Sequence, residues 1–222
     1  MLIDALPKIA IRERGLFADA TLLGAFFVSG VSALVYQVCW QRSLYGVIGV
    51  DIDSITIVVS AFMLGIGLGG LLGGWLSDRY RSRRLMIFAA SELAIAMYGA
   101  ATTVLLPWMA SAMGGAAWGS IGARALTCFG FLVVPTALMG MTLPILTMAF
   151  NERRTNIGVS VGTLYFVNTL GAALGAISVP TVLLPQFTLF QSILLAVAGN
   201  LVVASSAVLA ATSLSNGRGV RA

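Results

Sequence analysis

The sequence predicts an all-α integral membrane protein of six transmembrane helices, and three observations carry that reading. Of its 222 residues, 59% are hydrophobic and only 9% are charged, with a mean hydropathy of +0.97. Soluble domains carry about 25% charged residues, so this chain cannot clothe a water-facing surface. Six apolar runs are each long enough to cross a hydrocarbon core, which takes roughly 20 residues. The charges gather in short loops between those runs. The net charge of +5 therefore reads as membrane topology, not as a nucleic-acid footprint.

The first run is Leu22–Trp40. Small residues late in it (Ser29, Gly30, Ser32, Ala33) imitate a signal peptide. It nevertheless continues through Leu34, Val35 and Tyr36 to a Trp with no polar cleavage region, so it is read as a retained span. Tyr36, Gln37, Trp40 and Arg42 form its outer end, where Tyr36 and Trp40 share a helix face. Such a polar-aromatic mouth can receive a cation, because Trp faces attract ammonium groups, and Asp51 and Asp53 follow in the loop. The alternative is an interfacial belt, with Arg42 paired to Asp51 or Asp53.

The second run, Ile55–Leu76, carries two glycine series at four-residue spacing: Gly65, Gly69 and Gly73, and Gly70 with Gly74. Each makes a flat ridge on a helix where another backbone can approach. The run ends at Ser77, Asp78 and Arg79, and Arg81, Arg83 and Arg84 follow at once. The third run, Leu85–Leu106, holds Glu92, the one acid well inside an apolar stretch. At 1.5 Å per residue it lies about 10 Å deep, so it is expected to be neutral, paired or beside water. Its functional reading is proton or cation handling; its structural reading is a neutral or Arg-bonded acid of the inner leaflet.

The fourth run, Ala125–Leu146, contains Gly130, Gly140 and Pro135. The fifth, Val159–Leu184, contains Gly162, Asn168, Gly171, Gly175 and Pro180, and the sixth is Leu189–Leu209. Pro135 and Pro180 remove backbone donors and should loosen their helices, while Pro107, Pro144 and Pro185 read as terminators. Asn168, Gln191 and Asn200 are expected to hydrogen-bond between helices, at about 0.6 kcal/mol each on average.

Topology follows from Lys and Arg. With the N-terminus inside, all of them except Arg42 and Arg124 fall on the inner side, which fits an even number of spans. Trp40, Trp108 and Trp118 then belong to the outer interface and Trp75 to the inner one. The chain divides into a cytoplasmic segment 1–19, a membrane domain 20–213 and a cytoplasmic tail 214–222. The expected location is a bacterial inner membrane, with both termini cytoplasmic.

The chain has no histidine, which removes imidazole-ligated haem and the commonest general base at neutral pH. Cys39 and Cys128 fall inside spans one and four and read as small packing residues. No phosphate-binding loop sits in a soluble βαβ setting. The expectation is a non-enzyme with no cofactor beyond lipid contacts, any associated chemistry being done by another chain.

Two family resemblances rest on these runs. The turn from Gly74 through Asp78, Arg79, Arg81, Arg83 and Arg84 is similar to the loop between spans two and three of major facilitator transporters, with Arg81 where that motif has Gly. The wider chain resembles the membrane domain of bacterial spermidine synthase-like proteins, the fused major-facilitator/spermidine synthases. The segments Phe26–Arg42, Ala61–Gly69, Pro135–Pro144 and Gly162–Gly175 carry this resemblance. It implies half of a transporter body, a three-plus-three inverted repeat, and a synthase domain that would follow in fused members. Gly162, Gly171 and Gly175 also resemble the opening of a drug/proton antiporter motif, whose next Pro is Ala176 here.

The expected function is a scaffold or accessory subunit in a hetero-complex, packed against another membrane protein through the glycine faces of spans two and five. Arg79–Arg84 and Arg153–Arg154 would offer a basic cytoplasmic surface to a partner or to anionic lipid head groups. The alternative is a half-size transporter of a cation or polyamine that works as a homodimer.

Overall fold

In the computed structural model, described for residues 6–48, 52–113, 121–152 and 156–216, every long element is an α-helix. They are α1 (Leu6–Ile48), α2 (Ile52–Arg79), α3 (Arg84–Met113), α4 (Ile121–Asn151), α5 (Ile157–Ser178) and α6 (Leu189–Asn216), with a 3-10 turn at Arg81–Arg83. All six are long and apolar enough to span a bilayer. Arg42 lies on α1 beyond the expected end of that span, and Asp51, Trp118, Arg153 and Arg154 lie outside the described residues.

Local chemistry fixes the starts of the last two helices. Asn156, in an extended conformation, accepts the Val159 amide proton on Oδ1 and caps α5. Thr188 and Gln191 form a reciprocal box at α6: the Gln191 amide donates to Thr188 Oγ1 (3.2 Å), and the Thr188 amide donates to Gln191 Oε1 (2.9 Å). Gln191 is therefore an exposed capping residue, not the interhelical glue expected of it.

The prolines also depart from expectation. Pro107 and Pro144 lie inside α3 and α4 and terminate neither. Pro180 falls in a single π-helical turn, Val179–Leu183, which prolongs α5 to the short helical turn Leu184–Gln186. A wider turn absorbs the hydrogen bond that the ring removes.

Packing runs through glycine. α2 rests on α4, and α5 rests on α1. A Cβ at Gly69 would overlap the Ala137 carbonyl, one at Gly73 the Met141 backbone, and one at Gly140 the Ile66 carbonyl. On the other side, Gly171 meets the Phe27 carbonyl, Gly175 meets Val31, and Gly30 meets the Asn168 carbonyl. The two seams share one register. A constant offset carries Gly69, Gly73 and Ile66 onto Gly171, Gly175 and Asn168; a second carries Ala137, Met141 and Gly140 onto Phe27, Val31 and Gly30. From Gly69–Ala137 to Gly73–Met141, and from Phe27–Gly171 to Val31–Gly175, residue numbers rise together, so the paired helices run parallel, as small-residue contacts of this type permit.

Between the seams, α3 packs on α6 and α4, and α1 packs on α6. The apolar core falls into two clusters. One holds Tyr36, Trp40, Ile95, Leu132 and Ala196; the other holds Phe26, Phe88, Ile145, Leu164 and Val203.

Candidate functional site

A polar layer separates the two apolar clusters. Glu92 of α3 lies between Phe88 of one cluster and Ile95 of the other, and has no exposed surface. Ser29 of α1 donates its hydroxyl to Glu92 Oε1 at 2.7 Å, and Asn200 of α6 donates Nδ2 to Oε2 at 2.5 Å. Both partners are themselves buried, and Asn200 Oδ1 has no hydrogen-bond partner. Three helices thus converge on one carboxyl through neutral groups. Neither Ser29 nor Asn200 was tied to Glu92 by the sequence, where they stand 63 and 108 positions away.

α1 and α3 stay in parallel register above this layer. The ring of Tyr36 fills the space over Gly99, and Trp40 Nε1 donates to Thr102 Oγ1 at 3.0 Å. Tyr36 and Trp40 stack at 5.0 Å, and the edge of Tyr98 meets Trp40 at 6.1 Å. Both Tyr36 and Trp40 are fully buried. They form neither an open mouth for an ammonium group nor an interfacial belt. Both rings are closed off inside the bundle, so cation–π capture there would need the surrounding helices to part. Trp75 and Trp108, by contrast, are each 62% exposed. Gln37 is half-buried, and Asn168 lies on the other side of α1, against Gly30. The five polar positions singled out from the sequence are therefore not one site.

The glycines divide as sharply. Gly65 joins Gly69 and Gly73 against α4, where it meets Thr136; Gly171 and Gly175 lie against α1. Around Gly70, Gly74 and Gly162 there is open space. The inward ridges are closed by helices of the same chain, which corrects the expectation that they present themselves to a partner.

In the basic turn, Asp78, Arg79 and Arg83 are exposed while Arg84 is 6% exposed. Arg84 donates to the Ser77 carbonyl (2.9 Å), the Met148 carbonyl (3.3 Å) and Glu152 Oε1 (2.8 Å). It ties the ends of α2, α3 and α4 together. Arg84 is thus an internal clamp, which corrects the expectation that it belongs to a basic surface offered to a partner or to lipid.

Comparison with known proteins places this bundle beside an enzyme family. The chain is 28% identical over 191 residues to polyamine aminopropyltransferase 2 of Streptomyces coelicolor, which covers 85% of this chain and 33% of that protein. Against polyamine aminopropyltransferase of Oceanobacillus iheyensis it is 22% identical over 177 residues, 80% of this chain and 33% of the relative. Polyamine aminopropyltransferase 1 of S. coelicolor gives 27% over 188 residues, again a third of its length. The chain spans about a third of the curated relatives it matches. No protein-family model and no solved structure matches it. These names correct the expectation of a non-enzyme: each relative is named for aminopropyl transfer, although the matched stretch is the smaller part of each.

Proposed function

We propose that this chain is the membrane-embedded part of polyamine aminopropyltransferase machinery, a scaffold that packs against another membrane protein and holds the machinery at a bacterial inner membrane. The observation that carries this reading is the similarity over 80–85% of the chain to proteins named for that reaction. The outward faces support a packing role. Leu64, Leu68, Leu71 and Trp75 on α2, and Phe166, Leu170, Leu174 and Ile177 on α5, are all exposed and apolar. Gly70, Gly74 and Gly162, being uncovered, leave room on those faces for a close neighbour. Arg79, Arg81 and Arg83 stand ready for anionic head groups.

The test is aminopropyl transfer to a diamine, measured on the protein purified with whatever stays bound in mild detergent. Transfer that is depleted together with this chain supports the reading. A preparation with no transfer activity and no bound membrane protein opposes it.

A second reading, a half-size transporter acting as a homodimer, draws on the seam pattern. Exchanging α1 with α4, α2 with α5 and α3 with α6 maps the main helix contacts onto themselves, the relation that a three-plus-three inverted repeat requires. Flux of spermidine through liposomes containing this chain alone would favour it.

A further inference from the structure

Glu152 and Glu92 are held in different ways. Glu152 is met by a permanent cation, Arg84, at 2.8 Å. Glu92 is met by a hydroxyl and an amide. An arginine can only donate, and so fits a carboxylate alone; a serine hydroxyl both donates and accepts, and an asparagine amide offers one end of each kind. The surroundings of Glu92 therefore suit either protonation state.

We propose that Glu92, Ser29 and Asn200 form an intramembrane proton-binding site. In the unprotonated form both partners donate to the carboxylate, as observed. When a proton from the aqueous phase bonds to Oε1, that O–H donates to Ser29 Oγ. The serine hydroxyl then turns to a carbonyl one turn back on its own helix, a bond open to any helical serine. When the proton bonds to Oε2 instead, the Asn200 amide turns over and its unpartnered Oδ1 accepts. Neither change needs a helix to move.

The same geometry excludes larger ligands. Glu92 has no exposed surface and both its oxygens are already in contact at 2.7 and 2.5 Å. A metal ion or an ammonium group would have to displace Ser29 or Asn200, whereas a proton adds no volume.

Of the charged and titratable groups on the packed elements, Tyr36 is the one that interacts electrostatically with Glu92. On α1, Tyr36 is the nearest, seven residues above Ser29 with a buried hydroxyl that has no hydrogen-bond partner. Cys39 lies further along, and Asp19 and Arg42 sit toward the ends of the apolar stretch. On α3, Tyr98 donates to the Phe131 carbonyl, and Arg84 is engaged at the clamp. α4 carries Arg124 and Cys128, with Glu152 just past its end, and α6 carries no charged residue.

Infrared difference spectra of the purified protein in lipid nanodiscs, taken between alkaline and acid buffer, test the proposal. A protonated-carboxyl band should appear on acidification and be lost in Glu92→Gln. It should shift in frequency in Ser29→Ala and in Asn200→Leu, and be indifferent to spermidine or sodium at fixed pH. The last three measurements keep Glu92 and stand even where Glu92→Gln fails to assemble. The proposal is overturned if the band persists in Glu92→Gln, is abolished by spermidine or sodium, keeps its frequency in both partner variants, or never appears. It does not rest on the aminopropyltransferase reading, and these spectra can succeed or fail without it.

Discussion

Gly69 and Gly70 are neighbours in sequence that the fold treats in opposite ways, and replacing each by alanine turns that difference into a measurement. A Cβ at Gly69 would sit inside the Ala137 carbonyl oxygen, with the Ala137 carbonyl carbon at 2.8 Å and its Cα at 3.0 Å. All three are backbone atoms, so no side chain can rotate away, and α2 must lift from α4. Overpacking of this kind costs about 1–3 kcal/mol, and rigid backbone puts Gly69→Ala at the upper end. Alanine returns about 1 kcal/mol in helix propensity, which leaves a net loss of about 2 kcal/mol. At Gly70 there is nothing within 4 Å, so only the propensity gain of up to about 1 kcal/mol remains. The two variants should therefore move in opposite directions by a combined ~3 kcal/mol. The pair Gly171→Ala and Gly162→Ala should repeat the pattern on α5. Unfolding in mixed micelles with rising SDS, followed by circular dichroism, reads the difference. If Gly69→Ala and Gly70→Ala unfold together, α2 is not seated on α4 through this ridge and the reasoning is wrong.

Other perturbations have equally definite outcomes. Arg84→Ala removes the hydrogen bonds that tie the α2, α3 and α4 ends and should destabilise by about 2 kcal/mol, as loss of hydrogen bonds from a charged donor does; Glu152→Gln, at a half-open position, keeps an acceptor for Arg84 and should cost under ~1 kcal/mol in the same SDS titration. Trp40→Phe removes the bond to Thr102 but keeps the ring stack on Tyr36, so a loss of about 1 kcal/mol is expected, with near-ultraviolet dichroism reporting whether the stack persists. Cys39 and Cys128 are fully buried, and neither should react with a bulky maleimide until SDS unfolds the bundle; rapid labelling in mild detergent would contradict their placement. Reporter fusions ending at Arg84 should read cytoplasm and fusions ending at Gly114 the opposite side; the reverse result would invert the topology drawn from the charges.

Six membrane helices were legible in the sequence because length and apolar composition decide that question locally. What each face touches was not. Gly65, Gly69 and Gly73 differ from Gly70 and Gly74 by one step around the helix, and nothing in the spacing says which ridge will be covered. Likewise, four arginines crowd the turn after α2, yet only the partners Ser77, Met148 and Glu152 single out Arg84. Pro107 and Pro144 misled because a membrane helix continues past a proline when its neighbours support it, and Pro144 packs against the Gly73 contact. Trp40 misled for a related reason. A tryptophan near a span end is usually interfacial, but α1 runs on beyond it to Ile48 and turns it inward. Glu92 stood out as a buried acid, but its partners lie on two other helices, and only the fold brings them within reach.

The two glycine seams have a consequence for how the chain is made. Each joins a helix from the first three to one from the last three, α2 with α4 and α1 with α5. While only α1, α2 and α3 have entered the bilayer, Gly69 and Gly73 have no backbone to meet, and the carbonyls of Phe27 and Val31 wait for a helix not yet synthesised. The first seam cannot close before Met141 is in place, nor the second before Gly175. During biogenesis the early helices must therefore be kept from wrong neighbours until the late ones arrive, so that insertion and folding are separate events in time.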